Sequence, residues 1–316
     1  MPFAAVSPIT ASMADTVVTV IAARGAAATL GAAVVEASRA LELCGARLGG
    51  IDWLAENVAC DIAFDDLPSD QADAVCRRAI AQKIGRVPID LVAQPSEGRK
   101  KRLLVADMEA TIIANEMLDE LAALRGIEAQ ISAITARAMN DEIDFAEALA
   151  ERVSLLKGLP ETALATVAAR IRINPGAKAL VKTMHAAGAR TALVSGGFSV
   201  FAEAVGQRLG FDLIVANELI IRDGQIAGTV KQPILAREAK LETLTGLAAE
   251  QGLPLAATLA VGDGANDLPM IEAAGLGIAY HAKPNTVARA RWRIDHADLS
   301  ALLYAQGYRR DEIIAD

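Results

Sequence analysis

The sequence predicts an α/β protein: a doubly wound parallel sheet core with a helical cap insertion, plus an N-terminal βαββαβ (α+β) domain. Three observations carry this prediction. Hydrophobic residues make up 53% of the 316 positions but aromatic ones only 3%, so apolar burial falls to Ala, Val, Leu and Ile, the residues of packed helices and inner parallel strands. From residue 103 onward, short apolar runs alternate with helical stretches, the rhythm of a doubly wound sheet. Before residue 96 the order of elements is different, and a segment rich in breakers and charge separates the two patterns.

In the N-terminal part, an apolar run at 16–22 precedes a helical pattern at 31–43. Runs at 47–54 and 58–64 follow, then a helical pattern at 69–84 and a last run at 88–92. That order reads β-α-β-β-α-β, a split βαβ sandwich. Pro95, Ser96, Glu97, Gly98, Arg99, Lys100 and Lys101 then form a solvated connector. The expected domains are 1–96 and 97–316.

Beyond the connector, residues 103–106 form a short apolar run typical of a buried parallel strand, and Asp107 stands at its C-terminal end. Open α/β sheets place ligands at that end. Residues 116–171 are helical in pattern, punctuated by Gly126, the Asn140-Asp141 pair and the Gly158-Leu159-Pro160 break. They predict a helical cap at about 116–175. Strands resume at 190–194, 212–215 and 258–261, and the pair Asp223-Gly224, flanked by apolar residues within 219–230, signals a hairpin.

The net charge of −8 speaks against an extended basic surface, so neither nucleic acid nor anionic membrane is an expected partner. No basic residue precedes the first apolar stretch, and Asp15 interrupts the segment 1–23, which predicts neither signal peptide nor membrane span. Cys44, Cys60 and Cys76 form no CxxC pair; they read as reduced thiols partly filling a core in a cytoplasmic protein. His185, His281 and His296 are solitary and suggest no zinc site.

Candidate chemistry sits at the ends of the core strands. Asp107 and Glu109 place two carboxylates just past the first strand, where one can attack phosphorus and the other can handle the leaving-group proton. The run 191–194 leads into Ser195-Gly196-Gly197, a hydroxyl and close backbone N–H groups suited to an anion. Lys240 opens a helical stretch at 239–250 and can neutralise phosphate oxygens. The run 259–261 ends in Gly262-Asp263-Gly264-Ala265-Asn266-Asp267, a set of hard oxygen donors of the kind Mg2+ prefers. Acid pair, hydroxyl with glycines, lysine and acid pair, in that order, form a joint pattern more specific than any member.

Together these four pieces resemble the four motifs of the haloacid-dehalogenase-like phosphatase superfamily, nearest its phosphoserine phosphatase branch. The stretch from Asn115 through Glu116 and Asp119 to Glu120, and the segment from Arg137 through Phe145 to Arg152, resemble that branch's cap helices. The resemblance spans roughly 103–290. It implies a phosphomonoesterase that hydrolyses phosphoserine, the last step of serine biosynthesis, through an aspartyl-phosphate on Asp107 with Glu109 as acid/base. It further implies Mg2+ held by the Asp107 carboxylate, the Glu109 backbone carbonyl and the Asp263 carboxylate, with Asp267 behind them. Phosphate oxygens would meet Ser195, the Gly196 N–H and Lys240, with Asn266 helping to orient the phosphate. Glu116 would read the substrate ammonium and Arg152 its carboxylate, while Met139 and Phe145 close over the substrate.

One position departs from the family pattern, which has Asp two residues after the nucleophile where this chain has Glu109. Alternative readings therefore stay open: a phosphatase or phosphotransferase for another small phosphoester, such as phosphothreonine or phosphohomoserine, or a weakly active phosphate-binding regulatory protein. The N-terminal domain resembles small regulatory domains of biosynthetic enzymes and is expected to pair the chain into a homodimer.

Overall fold

A computed structural model describes residues 14–139 and 142–315. The chain divides into two compact units, Met1–Arg99 and Lys100–Asp316, with the division inside the charged connector, three residues past the expected 96/97 boundary. Residues 1–13, which carry most of the first apolar stretch, and the Asn140-Asp141 pair lie outside the described residues.

The first unit runs β1 (Thr16–Ala22), α1 (Ala27–Leu43), β2 (Arg47–Ala55), β3 (Ala59–Asp65), α2 (Ser69–Lys83) and β4 (Ile89–Pro95). Its strands form one antiparallel sheet in the order β2-β3-β1-β4. Alternation along the strands puts Val18 and Val20 of β1, Cys60, Ile62 and Phe64 of β3, and Leu91 of β4 into one core with Leu30, Val34 and Leu41 of α1 and Ile80 of α2. Helix α1 starts four residues before the pattern predicts, because the alanines preceding Gly31 carry no periodicity yet favour helix most strongly. Cys60 and Cys76 fill this core, whereas Cys44 is exposed at the C-cap of α1 and takes no part in it.

The second unit opens with β5 (Leu103–Ala106), followed by α3 (Met117–Arg125), α4 (Glu128–Met139), α5 (Phe145–Ser154) and α6 (Thr162–Ala168). These four helices are the insertion. Helix α7 (Ala177–Ala186) then leads to β6 (Arg190–Phe198), α8 (Ser199–Leu209) and β7 (Leu213–Asn217). A hairpin of β8 (Leu219–Arg222) and β9 (Gln225–Val230) follows, turning at Asp223 and Gly224, whose φ angles are both positive. The chain ends through α9 (Glu238–Glu250), β10 (Thr258–Gly262), α10 (Leu268–Ala273), β11 (Leu276–Tyr280), α11 (Pro284–Arg289), β12 (Trp292–Ile294) and α12 (Ala301–Ala305).

Six of these strands form a parallel sheet in the order β12-β11-β10-β5-β6-β7. The chain builds outward from β5 on one side through β6 and β7, then returns to its other side with β10. The crevice beside β5 is therefore a topological switch point, the place where such sheets bind ligands. Leu244 and Leu247 of α9 and Met270 and Ile271 of α10 pack on Leu103, Val105, Ala192, Val194 and Ala260 of the sheet.

Two differences from the sequence reading concern strands. The sequence pattern does not mark β11 and β12: Gly277 interrupts the first, and the second is three residues long, too short for periodicity to register. β6 continues to Phe198 rather than turning at Ser195. Val194 pairs with Val215 and Phe198 with Asn217, so Ser195, Gly196 and Gly197 form a bulge within an extended strand.

Candidate active site

Three adjacent strands deliver the motifs to one crevice. In register, Ala106 of β5 lies beside Val261 of β10 and Leu193 of β6, so the residues that follow them meet at the same end of the sheet. The Asp107 N–H donates to the Val261 carbonyl at 2.9 Å, carrying the ladder one residue past β5. Asp107 is buried, and a carboxylate taken out of water demands compensation.

Lys240 provides it. Its Nζ donates to Asp107 Oδ1 at 2.6 Å and to Asp267 Oδ1, and its side chain is 3% exposed. The other oxygen of Asp267 accepts the N–H groups of Asp263 (3.1 Å) and Gly264 (2.9 Å), folding the loop after β10 around that carboxylate. A Cβ at Gly262 would stand 2.3 Å from Asp267 Cγ, so only glycine permits the fold-back. Asp267 thus shapes the loop and aims the lysine.

Asp107, Asp263 and Asp267 are all buried, with one carboxylate oxygen from each within 4.8 Å of the others. Burial raises the Asp107 pKa well above its ordinary value; Asp267 adds to this, and Lys240 opposes it. Burial also raises Asp263, against the pull of Lys283. Lys240 moves upward because the two carboxylates outweigh the burial of its ammonium. Oxygen donors crowded in excess of their counter-charge are the donor set that Mg2+ fits, and no soft sulfur or imidazole is among them.

Glu109 reaches the opposite wall. Its Oε1 accepts the N–H of Met117 at 2.8 Å, at the positive end of α3. Its Oε2 lies over the β6 bulge, where a Cβ on Gly197 would come within 2.7 Å of it. The longer side chain is thereby accommodated by a glycine. Burial, then the charge of Glu116, pushes Glu109 up to about 7, against Met117 N–H, Lys240 and Arg152. Ser195 is buried, and its Oγ accepts the Gly197 N–H at 2.9 Å, leaving the hydroxyl proton to donate elsewhere.

The cap contributes the roof. The Phe145 ring covers Gly196, where an added Cβ would lie 2.9 Å from Phe145 Cζ. Phe145 is the first residue of α5, fixed by a capping box between Asp144 and Glu147. Arg152 lies two turns along the same helix and faces the charges of Asp119, Glu109 and Glu116, while its Nε donates to the Ala148 carbonyl. Glu116 is the exposed N-cap of α3. Met139 ends α4, and its side chain lies outside the described residues. Asn266 is exposed on the short 3-10 turn Ala265–Asp267.

Two residues of this site escaped the sequence reading. Lys283 follows β11 and pairs with Asp263 at 3.1 Å. An apolar strand followed by a polar loop and Pro284 opening a helix has the same grammar as the other motifs, and would have marked it. Asn217 ends β7 buried; its Nδ2 donates to the carbonyls of Gly196 (2.9 Å) and Leu235 (3.2 Å), and its Oδ1 accepts the Leu235 N–H (2.8 Å). It ties the bulge to the segment that leads into α9 and Lys240.

An open parallel sheet with an aspartate beyond its central strand, a buried lysine and an acidic loop defines a class, and residues 104–272 match the family model of haloacid dehalogenase-like hydrolases. The chain belongs to that family. Among curated relatives it is 42% identical over 217 residues to the phosphoserine phosphatase SerB2 of Mycobacterium tuberculosis, covering 69% of this chain and 53% of that protein. It is 44% identical over 199 residues to the phosphoserine phosphatase of Streptococcus thermophilus, covering 63% of this chain and 93% of that one. A solved structure described as a phospho-aspartyl intermediate analogue of phosphoserine phosphatase superposes with a TM-score of 0.61 at 39% identity, covering 65% of this chain and 98% of its own. The chain spans about half the length of the Mycobacterium relative. Among the described residues, no helix is long and apolar enough to cross a membrane.

Proposed function

We propose that this protein hydrolyses L-phosphoserine to serine and phosphate, with Asp107 as the covalent nucleophile. The observation that carries the reading is Asp107 at the end of β5, held 2.6 Å from a buried lysine between the acidic loop after β10 and the serine-glycine bulge of β6. The names of the relatives above supply the substrate class. The carboxylates of Asp107 and Asp263 and the backbone carbonyl of Glu109 would hold Mg2+, with Asp267 behind them. When bound, that ion offsets the negative charge of the phosphoryl group and keeps the Asp107 carboxylate ionised.

An Asp107 oxygen attacks phosphorus, forming an acyl-phosphate bond as the bond from phosphorus to the serine oxygen breaks. Glu109, pushed up to about 7, carries a proton near neutral pH and delivers it to the departing serine oxygen. Its carboxylate then accepts a proton from the water that attacks phosphorus, and the bond to Asp107 breaks. Lys240, the Ser195 hydroxyl and the Gly196 N–H hold phosphoryl oxygens, with Asn266 assisting. Glu116 takes the substrate ammonium, and Arg152 takes the carboxylate in its planar fork. Phe145 and Met139 shield the chemistry from bulk water.

Phosphate release from L-phosphoserine, phosphothreonine, phosphohomoserine and p-nitrophenyl phosphate, each with and without Mg2+, tests this reading. Metal-dependent release that favours phosphoserine is expected, and a preference for another ester would refute the substrate assignment. Free thiols and the biosynthetic reaction suit a cytoplasmic enzyme. We further infer that the first unit pairs two copies of the chain; a monomeric mass by light scattering would rule this out.

A further inference from the structure

Lys283 touches the proposed metal site, yet the reaction just described gives it no task. Its Nζ lies 3.1 Å from Asp263 Oδ2, and its backbone N–H donates to the Asp263 carbonyl at 3.0 Å. The two ends of this residue differ in freedom. The backbone is fixed by that hydrogen bond and by Pro284 at the start of α11, while the side chain is 59% exposed. Lys240, by contrast, is 3% exposed and clamped between two carboxylates. Lys283 also stands in the field of Glu116 and Asp107, both of which favour its ammonium form. Glu116 is exposed at the N-cap of α3, so it can receive a cation that leaves Asp263.

Two cations cannot share the Asp263 carboxylate without repelling each other across a few ångströms of partly dehydrated space. We propose that Lys283 is the exchangeable counter-ion of the metal site: its ammonium holds Asp263 until a divalent cation takes that carboxylate, then passes to Glu116 until the substrate ammonium displaces it into solvent. This rests on the assignment of Asp263 as a metal ligand. The exchange has a small cost, because an ion pair with one exposed partner is worth little and only a flexible side chain moves. Lys283 would keep the empty site from carrying an uncompensated buried charge, and it lowers the affinity of the site for metal as a consequence.

The test is calorimetric titration of Mg2+ into the full chain without substrate, repeated with Mn2+ followed by electron paramagnetic resonance. Lys283→Met and Lys283→Gln are expected to bind either ion about threefold to tenfold more tightly than the native chain. Lys283→Arg, which keeps the charge, is expected to bind within about twofold of native. Glu116→Gln is expected to weaken binding in the native background but not in Lys283→Met, since the acceptor then has nothing to receive. Saturable native binding with equal or weaker binding by Lys283→Met overturns the exchange and makes Lys283 a plain support for Asp263. Absence of saturable binding by the native chain would instead overturn the metal assignment and this inference with it.

Discussion

Replacing Lys240 by methionine probes the electrostatic centre of the site through stability alone. The lysine is 3% exposed and donates to Asp107 at 2.6 Å and to Asp267, which is fully buried. Methionine fills similar volume but leaves two buried carboxylates facing each other without a cation. Removing one partner of a buried pair typically costs about 3–5 kcal/mol. Asp107 already holds a raised pKa, so it takes up a proton and recovers part of that cost, which places the effect at the lower end. At about 2–4 °C per kcal/mol for a domain of this size, the melting transition of the second unit falls by roughly 6–12 °C. Differential scanning calorimetry in the presence of a chelator is the assay. The double variant Lys240→Met with Asp107→Asn, which removes one of the stranded charges, is expected to recover several degrees. A melting point of Lys240→Met within about 2 °C of native, or no recovery in the double variant, would refute the argument that these charges compensate one another.

Other consequences follow from single contacts. Glu109→Gln should lower kcat for phosphoserine by about a hundredfold to ten-thousandfold with little change in KM, measured by steady-state phosphate release. Asn217→Ala strands the Leu235 N–H and frees the Gly196 carbonyl, so the chain should lose about 1–3 kcal/mol, read from urea unfolding monitored by circular dichroism. Thiol alkylation of the native chain at mildly alkaline pH should modify Cys44 and spare Cys60 and Cys76, whose thiols burial pushes up to about 12, and peptide mapping reads this directly. The same two thiols ionise near 9 in the unfolded chain but near 12 when folded. The folded state therefore binds more protons between those values, and stability to urea should fall as pH rises from 9 to 12.

The legibility of this molecule followed from how its elements carry information. β5 is four apolar residues closed by Asp107, and β10 is five residues closed by Asp263; a buried strand that ends in a carboxylate announces both its class and its site. The antiparallel first unit is legible because its apolar runs are separated by two helical patterns that bury one face. Elements that lack periodicity are hidden in the sequence. The alanines that begin α1 are uniformly small, Gly277 breaks the run of β11, and β12 is three residues long. Missing β11 meant missing Lys283, since the loop that carries it is defined only by the strand before it. Ser195 to Gly197 showed their chemistry but not their form, because two glycines suggest a turn whereas here they make room in an extended bulge for Phe145 and Glu109. That accommodation also answers how the longer acid fits: the Glu109 carboxyl spans from the Met117 N–H to the bulge, a tertiary arrangement that no local pattern encodes.

Rapid-quench mass spectrometry of the chain mixed with phosphoserine and Mg2+ most directly tests whether Asp107 is the nucleophile. The account predicts transient gain of one phosphoryl group on the peptide containing Asp107, formed before free phosphate accumulates and absent in Asp107→Asn. Phosphate release at full rate with no phosphoryl group ever appearing on that peptide, or unaltered release by Asp107→Asn, would contradict it.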